Sequence, residues 1–149
     1  MLSPFLKKLL FVRQFVIYNG KIEILGENQI MLPRSALLSL QNEKTFDIVN
    51  KEMKDSMTRY AKKIGASTSG MLKSVQDLYE TMGLGKMEVI KLEATKKQAV
   101  LRIKDIKCKD SSLIEGVVCG LFSVMFKKEL TRENIKVINK TSHIEVSIK

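Results

Sequence analysis

The residues that could carry out nucleophilic or metal chemistry are few in this 149-residue chain. It contains one histidine, His143, and two cysteines, Cys108 and Cys119. Few nucleophile-base pairs are therefore available: Cys119 with His143 would be the only Cys-His option, and no third group to orient the histidine is evident. A zinc site needs four ligands, whereas Cys108 and His143 supply two. We therefore predict no enzyme activity, no catalytic residue, no metal and no cofactor.

Glycine and lysine residues do not form a phosphate-binding motif. The chain has no P-loop, no dinucleotide-binding glycine pattern and no HExxH motif. The stretch "GLGKMEV" at 83–89 has two glycines and a lysine, but it leads into a predicted strand. A phosphate-binding loop leads into a helix, so this stretch is interpreted as a helix end followed by a turn.

The most apolar stretch of the chain is "EGVVCGLFSVMF", from Glu115 to Phe126. A membrane-spanning helix needs about 20 predominantly apolar residues. Counted from Leu113 to Phe126, the stretch has only 14 residues, is interrupted by Glu115, and is followed at once by Lys127 and Lys128. We therefore predict a helix inside the protein and no membrane span.

Two interpretations of this helix follow from its two stripes. One stripe is broad and apolar, and the other consists of small residues: Gly116, Cys119, Gly120 and Ser123. Each glycine costs a helix roughly 1 kcal/mol relative to alanine. Such a cost is tolerated where another backbone packs closely, which would make Gly116, Cys119 and Gly120 close-packing residues. It is also tolerated where the helix forms the wall of a cavity.

The remaining elements predict one α+β domain over residues 1–149, with an antiparallel sheet built from hairpins and helices packed against it. Residues 1–28 form an N-terminal extension, a short helix and a hairpin that turns at Asn19-Gly20. Three helices, a hairpin, the apolar helix and a closing hairpin with its turn near 140–142 follow. The apolar stripe of the N-terminal helix could pack on the domain, on a second subunit or on a lipid surface.

Alternation of apolar and polar residues predicts the faces of the strand that begins at Lys86. Met87 and Val89 are expected on one face, which could also include Lys91, and Glu88, Ile90 and Leu92 are expected on the other.

The net charge of +10, from 26 basic and 16 acidic residues, leaves an alternative function open. A basic protein often binds an anionic partner such as nucleic acid. The basic side of one long predicted helix could do so, and its residues are Lys51, Lys54, Arg59, Lys62 and Lys63. No run of like charges forms a binding tail. The two cysteines form no disulfide framework, and the stretch "MLSPFLKKLLF" does not have the pattern of a signal peptide because Pro4, Lys7 and Lys8 interrupt it, so we expect a cytoplasmic protein.

Three stretches resemble the vinyl-4-reductase family of hydrocarbon-binding domains, which is related in fold to subunits of the TRAPP trafficking complex. They are "IMLPRSALLSLQ", "DLYETMGLGKMEVIKLE" and "GVVCGLFSVMF". The last matches the G-x-x-x-G helix that members use beside their ligand cavity. The resemblance extends over roughly residues 30–149. The family's structural zinc cysteines have no counterpart in the closing hairpin here.

The resemblance implies a homodimeric, non-enzymatic sensor that encloses a hydrophobic small molecule, aromatic or acyl. By position, Val117 and Leu121 correspond to residues that face the family's cavity. Apolar character adds six further candidates, since such pockets are mostly apolar: Met57, Tyr60, Leu78, Tyr79, Val118 and Phe122. A dimeric assembly scaffold without a ligand is the remaining alternative.

Overall fold

The computed structural model describes residues 7, 10–11, 15–24, 26–64, 68–106 and 110–149. The chain divides into two compact units, Met1–Pro33 and Arg34–Lys149. Most of the predicted N-terminal helix, and Cys108, lie outside the described residues. The organisation of residues 1–149 as one domain with an extension over 1–28 stays a prediction.

The first unit contains a three-stranded antiparallel sheet in the order β1-β2-β3. Its strands are β1 (Phe15–Tyr18), β2 (Lys21–Ile24) and β3 (Glu27–Gln29). Asn19 and Gly20 form the β1–β2 turn with φ of 46° and 75°, which confirms the predicted hairpin. The strand β3 was not predicted, because three polar residues carry no alternation signal.

The second unit combines four helices with a four-stranded antiparallel sheet in the order β4-β5-β7-β6. The helices are α1 (Arg34–Ser39), α2 (Thr45–Ile64), α3 (Thr68–Thr81) and α4 (Ser112–Phe126). The strands are β4 (Lys86–Glu93), β5 (Gln98–Lys104), β6 (Ile135–Asn139) and β7 (Ile144–Ile148). A single 3₁₀ turn, Arg132–Asn134, precedes β6. The predicted α+β class, with helices packed on an antiparallel sheet, is confirmed.

The core lies between one face of this sheet and the helices. Along β5 and β7, alternate residues are buried, and the fully buried set includes Leu101, Ile103 and Val146. α4 packs on α2 and α3 and also contacts β6, while α3 contacts β4. Within the described residues, no helix is long and apolar enough to cross a bilayer.

A β-bulge in β4 corrects the predicted faces of that strand. The register shifts between Val89 and Lys91, so that Leu92 pairs with the buried Ala99 and Lys91 pairs with Val100. Ile90 is the extra residue. The bulge moves Leu92 to the face of Val89 and Lys91 to the opposite face, because one inserted residue inverts the alternation that follows it.

Candidate functional site

The candidate site is built around α4, which is the most buried helix among the described residues. Twelve of its fifteen residues are buried, so the helix has neighbours on nearly every side. This arrangement agrees with a sequence that is apolar or small almost all round. Each predicted ligand-binding residue of α4 can therefore be described by the element that packs against its side of the helix.

The glycine side of α4 packs directly against α2. A Cβ atom added at Gly116 would lie 2.9 Å from the carbonyl oxygen of Phe46 and 3.0 Å from Cβ of Val49. One added at Gly120 would lie 2.7 Å from the carbonyl oxygen of Asn50. These distances leave no room for a side chain, so the two glycines are explained by close helix packing and this side of α4 holds no ligand.

The four predicted ligand-binding residues of α4 are all buried: Val117, Val118, Leu121 and Phe122. Successive residues of an α-helix are 100° apart, so Val118, Leu121 and Phe122 point away from the glycine side. Val117 lies at the flank between the two sides. The ring of Phe122 packs edge-on against Phe126, with centroids 5.5 Å apart. The ligand-binding role of these residues stays a prediction.

The other four predicted residues lie on the two helices that contact α4. Met57 of α2 and Leu78 and Tyr79 of α3 are buried, and Tyr60 of α2 is half-buried. Met57 follows Met53 by one helical turn, and Met53 approaches Gly120. All eight candidates therefore belong to one group of three packed helices, α2, α3 and α4.

Two side chains hold the N-terminus of α4, one near it in sequence and one distant. The first backbone N–H groups of a helix have no partner within it. The N–H of Ser112 donates to Oδ1 of Asp110 at 2.8 Å, and the N–H of Leu113 donates to Oε1 of Gln41 at 2.7 Å. Ser111 occupies the cap position but its side chain does not cap the helix. Gln41 follows α1, so it ties the N-terminus of α4 to the segment before α2.

A second group of contacts joins α4 to the 3₁₀ turn. Nε of Arg132 lies 3.4 Å from Oε2 of Glu115, and Nη2 of Arg132 donates to Oγ of Ser112 at 2.8 Å. The guanidinium also lies over the ring of Phe46, 4.8 Å from its centroid. Sequence reasoning missed both residues. Gln41 ends the stretch "IMLPRSALLSLQ" but had no predicted role, Arg132 lies in no motif, and each contacts residues far along the chain.

Cys119 is buried, and its surroundings disfavour the thiolate form at neutral pH. Burial, with smaller contributions from the carboxylates of Glu129 and Glu115, raises the pKa of its thiol to about 12. The thiolate is the reactive form of cysteine, and it is scarce five pH units below that pKa.

His143 lies in the β6–β7 turn and contacts its neighbour in sequence. Oγ of Ser142 lies 3.0 Å from Nδ1 of His143.

Two further observations bear on metal and nucleic-acid binding. Among the described residues, no group of three or more His, Cys, Asp and Glu could hold a metal ion.

The side of α2 predicted to bind nucleic acid is mixed in charge: Lys51 and Lys62 are exposed, but so are Asp47 and Glu52. Lys54 of the same helix donates to Glu129 at 2.7 Å, which neutralises one of the five predicted contacts.

The fold is shared with a sensory domain of known structure. The chain is similar to the phenol-responsive sensory domain of the transcription activator PoxR, solved as a crystal structure with phenol. The TM-score is 0.68 at 15% sequence identity, over 98% of this chain and 90% of that chain. This likeness establishes the fold. No protein-family model matches the sequence, and no curated protein matches it.

Proposed function

We propose that this chain is a cytoplasmic, non-enzymatic sensor module of the vinyl-4-reductase family that encloses a hydrophobic ligand, aromatic or acyl, and acts in signalling or transcriptional regulation. The observation that carries this proposal is the likeness in fold, over 98% of the chain, to a phenol-responsive sensory domain. Burial of apolar side chains is also expected of a closed core, so it locates the candidate site without arguing for a ligand.

The proposed ligand lies beside the part of α4 that points away from α2. The opposite side is excluded because Gly116 and Gly120 pack against backbone there. Val118, Leu121 and Phe122 supply an apolar wall, to which α3 adds Leu78 and Tyr79. Such a site fits an apolar molecule with at most one or two polar groups, since ligand pockets combine apolar walls with few polar contacts.

Calorimetric titration with phenol, indole and decanoate tests the proposal. We expect at least one of these probes to bind the wild-type protein and to raise its melting temperature. Val118→Leu enlarges a side chain in the proposed apolar wall and should weaken that binding about tenfold, since overfilling a packed site costs roughly 1–3 kcal/mol. Val124→Leu is the matched control, because Val124 lies on α4 but is only half-buried and is not a predicted ligand residue.

One result would contradict the sensor function and another the position of its site. Absence of binding by all three probes would contradict the sensor function, and a stable dimer without ligand would then favour an assembly scaffold. Equal weakening by Val118→Leu and Val124→Leu would place the ligand elsewhere.

The sensor is proposed to act as a homodimer through the N-terminal apolar surface. We define this surface by the exposed large apolar side chains of residues 15–33: Val16, Ile17, Tyr18, Ile30, Met31 and Leu32. Ile17 lies on the face of β1 opposite to Val16 and Tyr18, so apolar side chains are exposed on both faces of this strand. None of the described residues of that unit is buried, although a sheet of three short strands needs an apolar face to be covered. Residues 15–33 carry one lysine and two glutamates in a chain of net charge +10. A nearly neutral apolar surface suits contact between two copies that otherwise repel each other.

A further inference from the structure

The four-stranded sheet has an outer face, opposite to the one that forms the core. Directly paired residues of antiparallel strands place their side chains on the same face. The register therefore puts Glu88, Arg102 and Glu145 in one row across β4, β5 and β7, with Ile138 of β6 at its end. Val100 and Ser147 belong to the next row.

This outer face carries more positive than negative charge. Its five cationic side chains are Lys86, Lys91, Arg102, Lys104 and Lys136. Its three carboxylates are Glu88, Glu93 and Glu145. Nζ of Lys104 lies 2.8 Å from Oε1 of Glu88, and Glu93 is paired with Lys91 and Lys96. Two of the three carboxylates are thus already engaged, and the face keeps a surplus of two positive charges.

Arg102 stands in the middle of this face, where, after the hydrogen bond from Lys104, its charge helps to lower the pKa of the Glu88 carboxyl. Its Nε is shut off from solvent and has no hydrogen-bond acceptor among the described residues. Within the same residues Arg102 forms no ion pair, although Glu88 and Glu145 lie directly across from it on the neighbouring strands. An unsatisfied donor at such a place destabilises the isolated protein, and native structures contain few of them.

We propose that the outer face of the sheet binds an acidic segment of another protein, one of whose carboxylates pairs with Arg102. The two terminal nitrogens of an arginine can bind one carboxylate through two parallel hydrogen bonds without the enclosed Nε, and arginine is enriched at protein interfaces. Arg102 as a whole is only half-buried. Val100 and Ile138 are half-buried beside the row of Arg102 and supply apolar contact. A nucleic-acid backbone fits this face less well, because three carboxylates lie among its cations. The surface is separate from the proposed ligand site and does not depend on it.

The binding test uses a fluorescent twelve-residue peptide in which glutamate and valine alternate, followed by anisotropy in 150 mM salt. We expect Arg102→Gln to weaken binding of this peptide at least tenfold, as expected for loss of a charged hydrogen-bonded pair. Lys62→Gln is the matched control: it removes one positive charge from an exposed position on α2 and should change the affinity less than twofold. Equal weakening by the two variants, or no binding to the wild-type protein, would overturn the proposal.

Two further measurements separate this role from other roles of Arg102. If Arg102 is kept for a partner, Arg102→Met should leave the melting temperature of the isolated protein unchanged or raised. A lower melting temperature would show a structural pairing with Glu145 and overturn the proposal, as would tighter binding of a single-stranded oligonucleotide than of the peptide. Titration of Arg102→Gln with phenol, indole and decanoate should match the wild type, so that this proposal and the sensor function fail separately.

Discussion

Gly120 of α4 and Asn50 of α2 meet at backbone distance. A Cβ atom at position 120 would lie 2.7 Å from the carbonyl oxygen of Asn50, closer than side-chain carbons approach in proteins. Gly116 repeats this relationship one turn earlier, against Phe46. The two helices therefore touch along at least one full turn with no side chain of α4 between them.

Replacement of Gly120 by alanine should lower the free energy of unfolding by about 2 kcal/mol. The clash with α2 outweighs the gain of roughly 1 kcal/mol in helix propensity. Urea denaturation measures the change. Gly70→Ala is the control, because Gly70 is an exposed glycine within α3 and its replacement should stabilise the protein slightly. If Gly120→Ala were as stable as the wild type, the close contact between α2 and α4 would be wrong.

The buried thiol of Cys119 predicts a dependence of stability on alkaline pH. Its pKa is about 12 in the folded protein, against an ordinary value of 9.0. A raised pKa stabilises the folded state fully below pH 9, and this contribution is lost as the pH rises towards 12. The stability of the wild type relative to Cys119→Ala should therefore fall by about 1 kcal/mol between pH 7 and pH 10. Urea denaturation of both proteins at each pH measures it, and a constant difference would contradict the burial of the thiol.

The contacts of Arg132 predict a measurable loss on its removal. Arg132→Ala removes the pairing with Glu115 and the contact with the ring of Phe46, and should lower the free energy of unfolding by about 1–2 kcal/mol. Arg132→Lys should recover only part of this, because an ammonium lacks the planar fork. Lys140→Ala, at an exposed lysine of the β6–β7 turn, should have almost no effect on thermal or urea unfolding. Equal stability of Arg132→Ala and Lys140→Ala would contradict the role of these contacts.

The N-terminal apolar surface predicts a dimer that one charge can break. Ile17 is 64% exposed, and Ile17→Glu should convert a dimer into a monomer, since a buried unpaired carboxylate is costly at an interface. Light scattering after size exclusion gives the mass. Ile48→Glu is the matched control, because Ile48 is 59% exposed but lies on α2 in the second unit. A monomeric wild type, or dissociation by both variants, would contradict the proposed surface.

Local patterns in the sequence were sufficient to predict most elements of the fold. Asn19-Gly20 identified a hairpin because few residues tolerate two successive positive φ angles. The amphipathic spacing of α2 and α3 identified both helices. The bulge at Ile90 was not predictable, since the residues around it continue the alternation of a regular strand while the partner strand β5 determines the register.

The sequence was less informative about the site than about the fold. The stripe of Gly116 and Gly120 indicated that something approaches α4 closely, but a stripe of small residues does not specify whether that neighbour is a helix or a ligand. The contact of Gln41 with Leu113 spans 72 positions, and no local pattern encodes it. The structure places all the predicted ligand-binding residues on three packed helices, and their role awaits the titrations described above.

The glycine contact between α2 and α4 also has a mechanical consequence. Where backbone packs on backbone there are no side-chain rotamers to rearrange, so we expect the two helices to move as one rigid unit. α2 has 20 residues and is about 30 Å long, so a small tilt at one end becomes a larger displacement at the other. If a ligand bound in the core changes the protein's conformation, we expect α2 and α4 to move together. The displacement would then occur where α3 and the sheet contact these two helices, and α4 would not slide along α2.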